Sequence, residues 1–189
     1  MESHFELILN MQVTKPELYT CFSPALLDLY NVDKSIVVII DVLRATSTIA
    51  TALHNGAKAI IPVDSVAECI RIGKQIDSIT AGERDGKIAE GLDYGNSPFE
   101  YSKEIVEGKT IVFYTTNGTK SIAKAKYSEN LYTCSFLNIS AVAKHLITLN
   151  TDVEIVCAGR NNYFSIEDSV CAGMLISKIS KVKEDSFLN

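Results

Sequence analysis

Ser35-Ile-Val-Val-Ile-Ile-Asp41, followed directly by Val42-Leu-Arg44-Ala-Thr46-Ser47-Thr48-Ile49, is the passage on which the fold turns. Residues 36–40 are all β-branched, with no polar residue among them. A half-exposed strand would alternate; an unbroken run predicts a parallel strand covered by helices on both faces. The run ends in a carboxylate, turns, and enters a segment with helical spacing, Thr46–Asn55, which Gly56 stops.

Working outward, the same alternation repeats. Lys58–Val63 reads as a strand. Val66–Ile76 reads as an amphipathic helix, with Val66, Cys69, Ile70, Ile72 and Ile76 apolar. Ser78–Ala81 runs as a strand into Gly82-Glu83-Arg84. Thr110–Tyr114, Asn130–Cys134 and Asp152–Cys157 are further strands, and Gly118–Ala125, Ile139–Leu149 and Ile166–Val182 further helices. Before the opening passage, residues 5–9 (FELIL) suit a short strand, and residues 16–30 a turn and short helix punctuated by Pro16 and Pro24. Ser97-Pro98-Phe99-Glu100 has capping-box spacing with proline at the first helical position, so a helix is expected there. Alternating strands and helices predict an α/β fold: a three-layer α/β/α arrangement around a mostly parallel or mixed sheet.

The chain has 189 residues, 47% apolar and 22% charged. That suits one globular domain able to bury a full core. A net charge of −5 without any basic tract argues against a nucleic-acid surface. No stretch of about 18 apolar residues is present, so no membrane span is expected. Five cysteines at irregular spacing suit reduced, buried thiols, and the first residues lack the pattern of a secretory leader. A cytoplasmic protein is expected. Its oligomeric state is left open, a homo-oligomer included.

The chain has four arginines, and three of them follow strand candidates: Arg44, Arg84 and Arg160. Carboxylates lie close in sequence to each, namely Asp41, Glu83, and the pair Glu167 and Asp168. Arginine grips phosphate, sulfonate or carboxylate oxygens two at a time. In open α/β sheets ligands bind beyond the carboxyl ends of the strands. Forked cations gathered there beside acids point to an anion site that includes a metal.

Thr46, Ser47 and Thr48 open the helix after Asp41, where free N–H groups favour an anion; ordinary capping accounts for one hydroxyl. Residues 84–97 carry three glycines and two aspartates, which suits a closing loop or a metal loop, against a solvated turn. Tyr114-Thr115-Thr116-Asn117-Gly118-Thr119 is a strand-to-helix turn whose glycine would let backbone N–H groups approach an oxyanion; a well-capped turn is the alternative. Ser165 and Asp168 again have capping-box spacing, which leaves Glu167 the freer acid.

Cysteine-phosphatase C-x5-R spacing, a D-x-D motif after the strand and a P-loop are all missing. Only three histidines and no C-x-x-C pair are available, so zinc is disfavoured. Oxygen ligands suit Mg2+.

DVLRATSTI (41–49), GERDGKIAEGLDYGNSPFE (82–100), TTNGTKSI (115–122) and CAGRNNYFSIEDSVCAG (157–173) together resemble the 2-phosphosulfolactate phosphatase family of coenzyme M biosynthesis. The four blocks stand in the family's order. The resemblance implies a Mg2+-dependent phosphatase acting on a small anionic phosphomonoester, 2-phospho-3-sulfolactate, and releasing 3-sulfolactate and phosphate. A non-catalytic anion-binding module derived from such an enzyme is the alternative.

Carried onto the matched blocks, the expected metal ligands are Asp41, Glu83, Glu167 and Asp168. Asp41, Arg44, Glu83 and Arg84 are the expected catalytic groups. Thr46, Ser47, Thr116, Asn117, Gly118, Thr119 and Arg160 are expected to bind substrate. Attack by Asp41 itself and attack by water both remain open. Two departures stand out. Asn161-Asn162 replace a glycine-containing turn usual in the family. The family's chains usually continue further, so the single domain over 1–189 is expected to lack a C-terminal segment.

Overall fold

The computed structural model describes residues 16–30, 32, 35–84, 86–115, 122, 128 and 130–186. The strand expected at 5–9 and the helix expected over 118–125 lie outside these, apart from Ile122.

In chain order the described elements are β1 (Leu18–Cys21), a 3-10 turn (Pro24–Leu29), β2 (Ile36–Ile40), α1 (Ala45–His54), β3 (Ala59–Val63), α2 (Val66–Ile76), β4 (Ile79–Arg84), β5 (Lys87–Ile88), a second 3-10 turn (Pro98–Glu100), α3 (Lys103–Val106), β6 (Thr110–Tyr114), β7 (Asn130–Cys134), α4 (Ile139–Leu149), β8 (Val153–Cys157) and α5 (Ile166–Ser186). The fold is a layered α/β architecture of the expected class. Its strands, however, divide into two sheets instead of one. One is all-parallel, in the order β1-β8-β2-β7; the other runs β3-β6-β4-β5, parallel except for the hairpin partner β5.

The opening passage behaves as its composition demands. β2 is central, with β8 on one side and β7 on the other, and all five of its residues are buried. Ile36, Val38 and Ile40 point to one face, where they meet Ile139, Ala143 and Leu146 of α4 and Cys171, Leu175 and Ile179 of α5. Val37 and Ile39 point to the other, beside Leu27 and Val156. In the second sheet, Ile111 and Phe113 of β6 pack on Ala45, Ile49 and Ala52 of α1, and Val112 and Tyr114 face Cys69 of α2. Period-two burial on both faces is why these strands read as continuous apolar runs.

α1 explains the division. It leaves the first sheet at β2 and delivers the chain to β3 in the second. Ala45 and Ile49 stand between Ile39 of β2 and Phe113 of β6, around one small cavity. Its small residues let two sheets approach one helix. Nothing in strand–helix alternation specifies which sheet the next strand joins.

Three further differences have local causes. Among the described residues β1 is an edge strand of four residues paired with β8 alone, too short to show a period. The expected helix after Ser97 shrinks to a 3-10 turn and the four-residue α3. Ser97 makes no capping bond, and Glu100 reaches instead to the Gly95 amide at 2.6 Å. All five cysteines are free and buried, as expected for reduced thiols packed as small hydrophobes.

Candidate active site

The carboxyl ends of β2 and β8 from one sheet, and of β4 and β6 from the other, face a common pocket of about 290 Å³. It is lined by Asp41, Leu43 and Arg44 after β2, and by Gly159 and Arg160 after β8. Ser165, Glu167 and Asp168 at the start of α5 add to it, with Glu83, Gly86 and Asn96 from the β4 region and Thr115 after β6. Segments more than a hundred residues apart in the chain thus converge on one cavity. It brings together two guanidinium groups and four carboxylates.

The turn after β2 is held by its own hydroxyls. The Thr46 hydroxyl donates to the Asp41 carbonyl at 2.9 Å and accepts from the Asp41 amide at 3.1 Å. The Ser47 hydroxyl donates to the Val42 carbonyl at 2.8 Å. Thr48 donates to the Asn96 carbonyl at 3.2 Å, which ties α1 to the opposite wall. Thr46 and Ser47 therefore brace the turn and do not line the pocket. Arg44 occupies the cap position of α1 and makes no side-chain capping bond. Its Nη2 reaches across to the Gly86 carbonyl at 3.4 Å.

Asp41 is 8% exposed. Burial, then the neighbouring Asp168 and, more weakly, Glu83 push its carboxyl up to about 7; amides of Ala45 and Arg44 donating to it hold the rise in check. Acids crowded in a dry place favour protonation unless positive charge arrives.

Asp168 is 2% exposed and acts as a clamp. One oxygen accepts from the Val42 amide at 2.9 Å and the other from the Gly159 amide at 3.0 Å, so a single carboxylate joins the turns after β2 and β8. Burial raises its pKa, and those two amides work against the rise. Its own amide donates to Ser165 Oγ at 3.4 Å, the capping contact that the spacing predicts. Glu167, next to it, is half-buried and lines the pocket.

After β8, Gly159 has φ +61, and a Cβ there would stand 2.2 Å from the Tyr163 carbonyl. The chain turns back through Asn161 and Asn162, both at positive φ (53 and 66), between the paired residues Arg160 and Tyr163. Two successive positive-φ residues are the requirement of a type I′ turn, and asparagine tolerates it best after glycine. The Asn-Asn pair thus forms the tight turn that a glycine would otherwise make.

Residues 86–97 are anchored instead of forming a free closing loop. The Gly82 amide donates to the Tyr94 carbonyl at 2.9 Å, the Tyr94 amide to the Thr80 carbonyl at 3.1 Å, and the Ala89 amide to the Gly82 carbonyl at 3.2 Å. Asp93 accepts from the Thr80 hydroxyl at 2.7 Å and the Thr80 amide at 2.9 Å. Glu83 accepts from the Gly86 amide at 2.8 Å and lines the pocket.

Of the residues singled out from sequence, Asp41, Arg44, Glu83, Arg160, Glu167 and Asp168 meet in this pocket. Arg84 is exposed at the end of β4 and is not among the lining residues. Thr116, Asn117, Gly118 and Thr119 lie outside the described residues. Asn96 and Thr115 line the pocket although neither was among the expected catalytic, metal or substrate-binding residues. Asn96 carried a signal in its place within the block resembling the family, but a lone asparagine in a glycine-rich stretch has no pattern of its own. Among the described residues, no three His, Cys, Asp or Glu side chains are grouped so as to hold a metal unaided.

Residues 21–189 match the family model described as 2-phosphosulpholactate phosphatase. The chain belongs to the 2-phosphosulpholactate phosphatase family. Its relatives include a protein of Caldanaerobacter subterraneus subsp. tengcongensis, 47% identical over 151 residues, covering 78% of this chain and 63% of that protein. A Clostridium acetobutylicum protein is 46% identical over 142 residues, 74% of this chain and 60% of that protein. A third, from Thermotoga maritima, is 47% identical over 144 residues, 76% and 62% of the two chains. Each of the three is named a probable 2-phosphosulfolactate phosphatase. The chain spans less than two thirds of the length of these family members. No described helix is long and apolar enough to cross a membrane.

Proposed function

We propose that this pocket hydrolyses the phosphate ester of 2-phosphosulfolactate with the help of Mg2+, in the cytoplasm, as a step toward coenzyme M. The observation that carries the reading is the meeting of Arg44 and Arg160 with Asp41, Glu83 and Glu167 around one cavity of about 290 Å³. The substrate named for the relatives carries a phosphate, a sulfonate and a carboxylate. Two guanidinium forks suit two of these anionic groups, and the acids opposite suit a cation at the third corner.

The donors fit magnesium chemically. They are all oxygens, and Mg2+ is characteristically held by one or two carboxylates, water and substrate phosphate, not by a complete protein cage. Asp41, Glu83 and Glu167 are the side chains that would hold it, with Asp168 behind Asp41 as clamp. When bound, such a cation neutralises phosphoryl charge and makes a nearby water more acidic.

The chain's own contribution is placement. Arg44, held over the pocket by the braced turn, grips the transferring group and stabilises charge that develops on its oxygens. Arg160, displayed by the tight turn after β8, holds the far anionic group and orients the ester. Asp41 lines the same pocket, within its acidic wall. Attack by Asp41 on phosphorus expels sulfolactate and leaves a phospho-enzyme that can be trapped and that water then hydrolyses. Attack by water expels sulfolactate directly, with no phospho-enzyme to trap.

Phosphate release from 2-phosphosulfolactate and from common phosphomonoesters, with Mg2+ and with excess EDTA, tests the proposal. Release that needs Mg2+ and prefers the sulfonated ester is expected. Sulfolactate binding without release would leave a non-catalytic anion-binding module. Full activity in EDTA would remove the metal from the reaction.

A further inference from the structure

Asn96 contributes an oxygen that the fold leaves unsatisfied. Among the described residues, three buried side-chain atoms have no hydrogen-bond partner: Ser78 Oγ, Glu154 Oε2 and Asn96 Oδ1. Of these residues, Asn96 alone lines the acidic pocket.

The position of Asn96 is over-determined by its backbone. Its carbonyl accepts from the Thr48 hydroxyl at 3.2 Å. The preceding Gly95 donates its amide to Glu100 Oε2 at 2.6 Å and accepts the Tyr101 hydroxyl at 2.5 Å. Tyr94, one residue earlier, is bonded to Gly82 of β4. None of these contacts uses the Asn96 side chain, which is nonetheless buried at 5% exposure. A buried carbonyl without a donor is costly, and native folds reserve such exceptions for sites completed by something else.

The chemistry of the missing partner is constrained from two sides. The acids lining the cavity are, when ionised, acceptors like Asn96 Oδ1 itself. The proposed substrate offers only acceptor oxygens on its phosphate, sulfonate and carboxylate in their ionised forms. Arg44 and Arg160 line the same pocket, yet neither donates to Asn96 Oδ1; what that oxygen lacks is positive charge or a proton pointing at it. We infer that Asn96 Oδ1 is a neutral oxygen ligand for a hydrated divalent cation in this pocket, meeting the ion directly or through one of its waters. The inference rests on the cation in the proposed function and adds to it a ligand from the second sheet, opposite the acids of the first. It also explains why the segment from Gly82 to Asn96 is fastened so firmly: a weak ligand orients an ion only if its own backbone does not move.

Mn2+ titration of the metal-free full chain, following the EPR signal of the free ion, tests this without relying on turnover. Asn96→Leu keeps the volume and removes the acceptor; Asn96→Asp keeps an oxygen and adds charge. Expected are a loss of about 10- to 100-fold in Mn2+ affinity for the leucine variant, the scale seen when a supporting group at a metal site is removed, and affinity at or above wild type for the aspartate variant. The thermal midpoint of the metal-free leucine variant should match or exceed wild type, because an orphaned acceptor has gone. Wild-type affinity in Asn96→Leu overturns the inference, as does an aspartate variant that binds no better than the leucine one. If Asn96→Leu fails to fold, Asn96→Ala is measured in its place, with the same loss expected and wild-type affinity overturning the inference. A wild-type protein that takes up no Mn2+ overturns the inference together with the cation in the proposed function, whereas equal uptake by wild type and variants removes only the role of Asn96.

Discussion

The two rims that face each other across the pocket are fastened by different means. On the rim of the all-parallel sheet, side chains do the fastening: Thr46 braces Asp41, Ser47 braces Val42, and Asp168 bridges Val42 and Gly159 with both oxygens. On the rim of the mixed sheet, main-chain bonds from Gly82 to Tyr94 and from Tyr94 to Thr80 share the work with the side chains of Asp93, Glu100 and Tyr101, none of which lines the pocket. The first arrangement consumes polar side chains to hold backbone. The second leaves Asn96 with a buried oxygen to offer. A polar residue in a pocket is thus no proof of contact with the ligand; its remaining hydrogen-bonding capacity decides.

The comparison can be broken most directly at Arg44. Its single side-chain hydrogen bond to a described residue is the long one to Gly86, so Arg44→Ala should lower phosphate release by about 100- to 1,000-fold and leave the thermal midpoint nearly unchanged. A variant that unfolds instead would make Arg44 another brace. Asp168→Ala should do the reverse of a binding-site change. It strands two buried amides at about 1–3 kcal/mol each, so urea unfolding should show a loss of roughly 3 kcal/mol. A stable but inactive Asp168→Ala would move Asp168 from clamp to ligand.

Asp41 sharpens the contrast through pH. Burial raises its folded-state pKa from the ordinary value to about 7. The folded protein therefore keeps a proton that the unfolded chain releases near pH 4. The stability associated with that proton is complete below about pH 4 and is lost as pH rises through 7. In metal-free protein, wild type should lose about 2 kcal/mol relative to Asp41→Asn between pH 5 and pH 7, at about 1.4 kcal/mol per pKa unit. Parallel stability curves for the two proteins would show that Asp41 is not so perturbed. The smallest effect is expected on the second rim: Glu100→Gln weakens one bond to the Gly95 amide and should cost about 1 kcal/mol.

Much of this was legible beforehand because it depends on local physics. Val66–Ile76 shows its apolar stripe and forms α2 over those residues. Asp41, Arg44, Glu83, Arg160 and Glu167 could be singled out because charged groups at strand ends have few other reasons to stand beside apolar runs. Thr46 and Ser47 were legible as helix-starting hydroxyls but not as braces, since an N-cap and a turn brace share one sequence signature. Arg84 shares the sequence context of Arg44 and Arg160, yet it ends on the exposed side of a hairpin whose two-residue partner strand, β5, is too short to show a period.

The sequence by itself determined the longer strands, the longer helices and the family, because burial periodicity, turn chemistry and the four motif blocks are written along the chain. Only the tertiary structure decided that the strands form two sheets and that their carboxyl edges share one cavity. It also decided which hydroxyls and acids already have partners. Those outcomes depend on non-local pairing, β2 with β8 and β4 with β6, and on whether each oxygen meets a donor from a distant segment. No residue carries that information in its immediate neighbours.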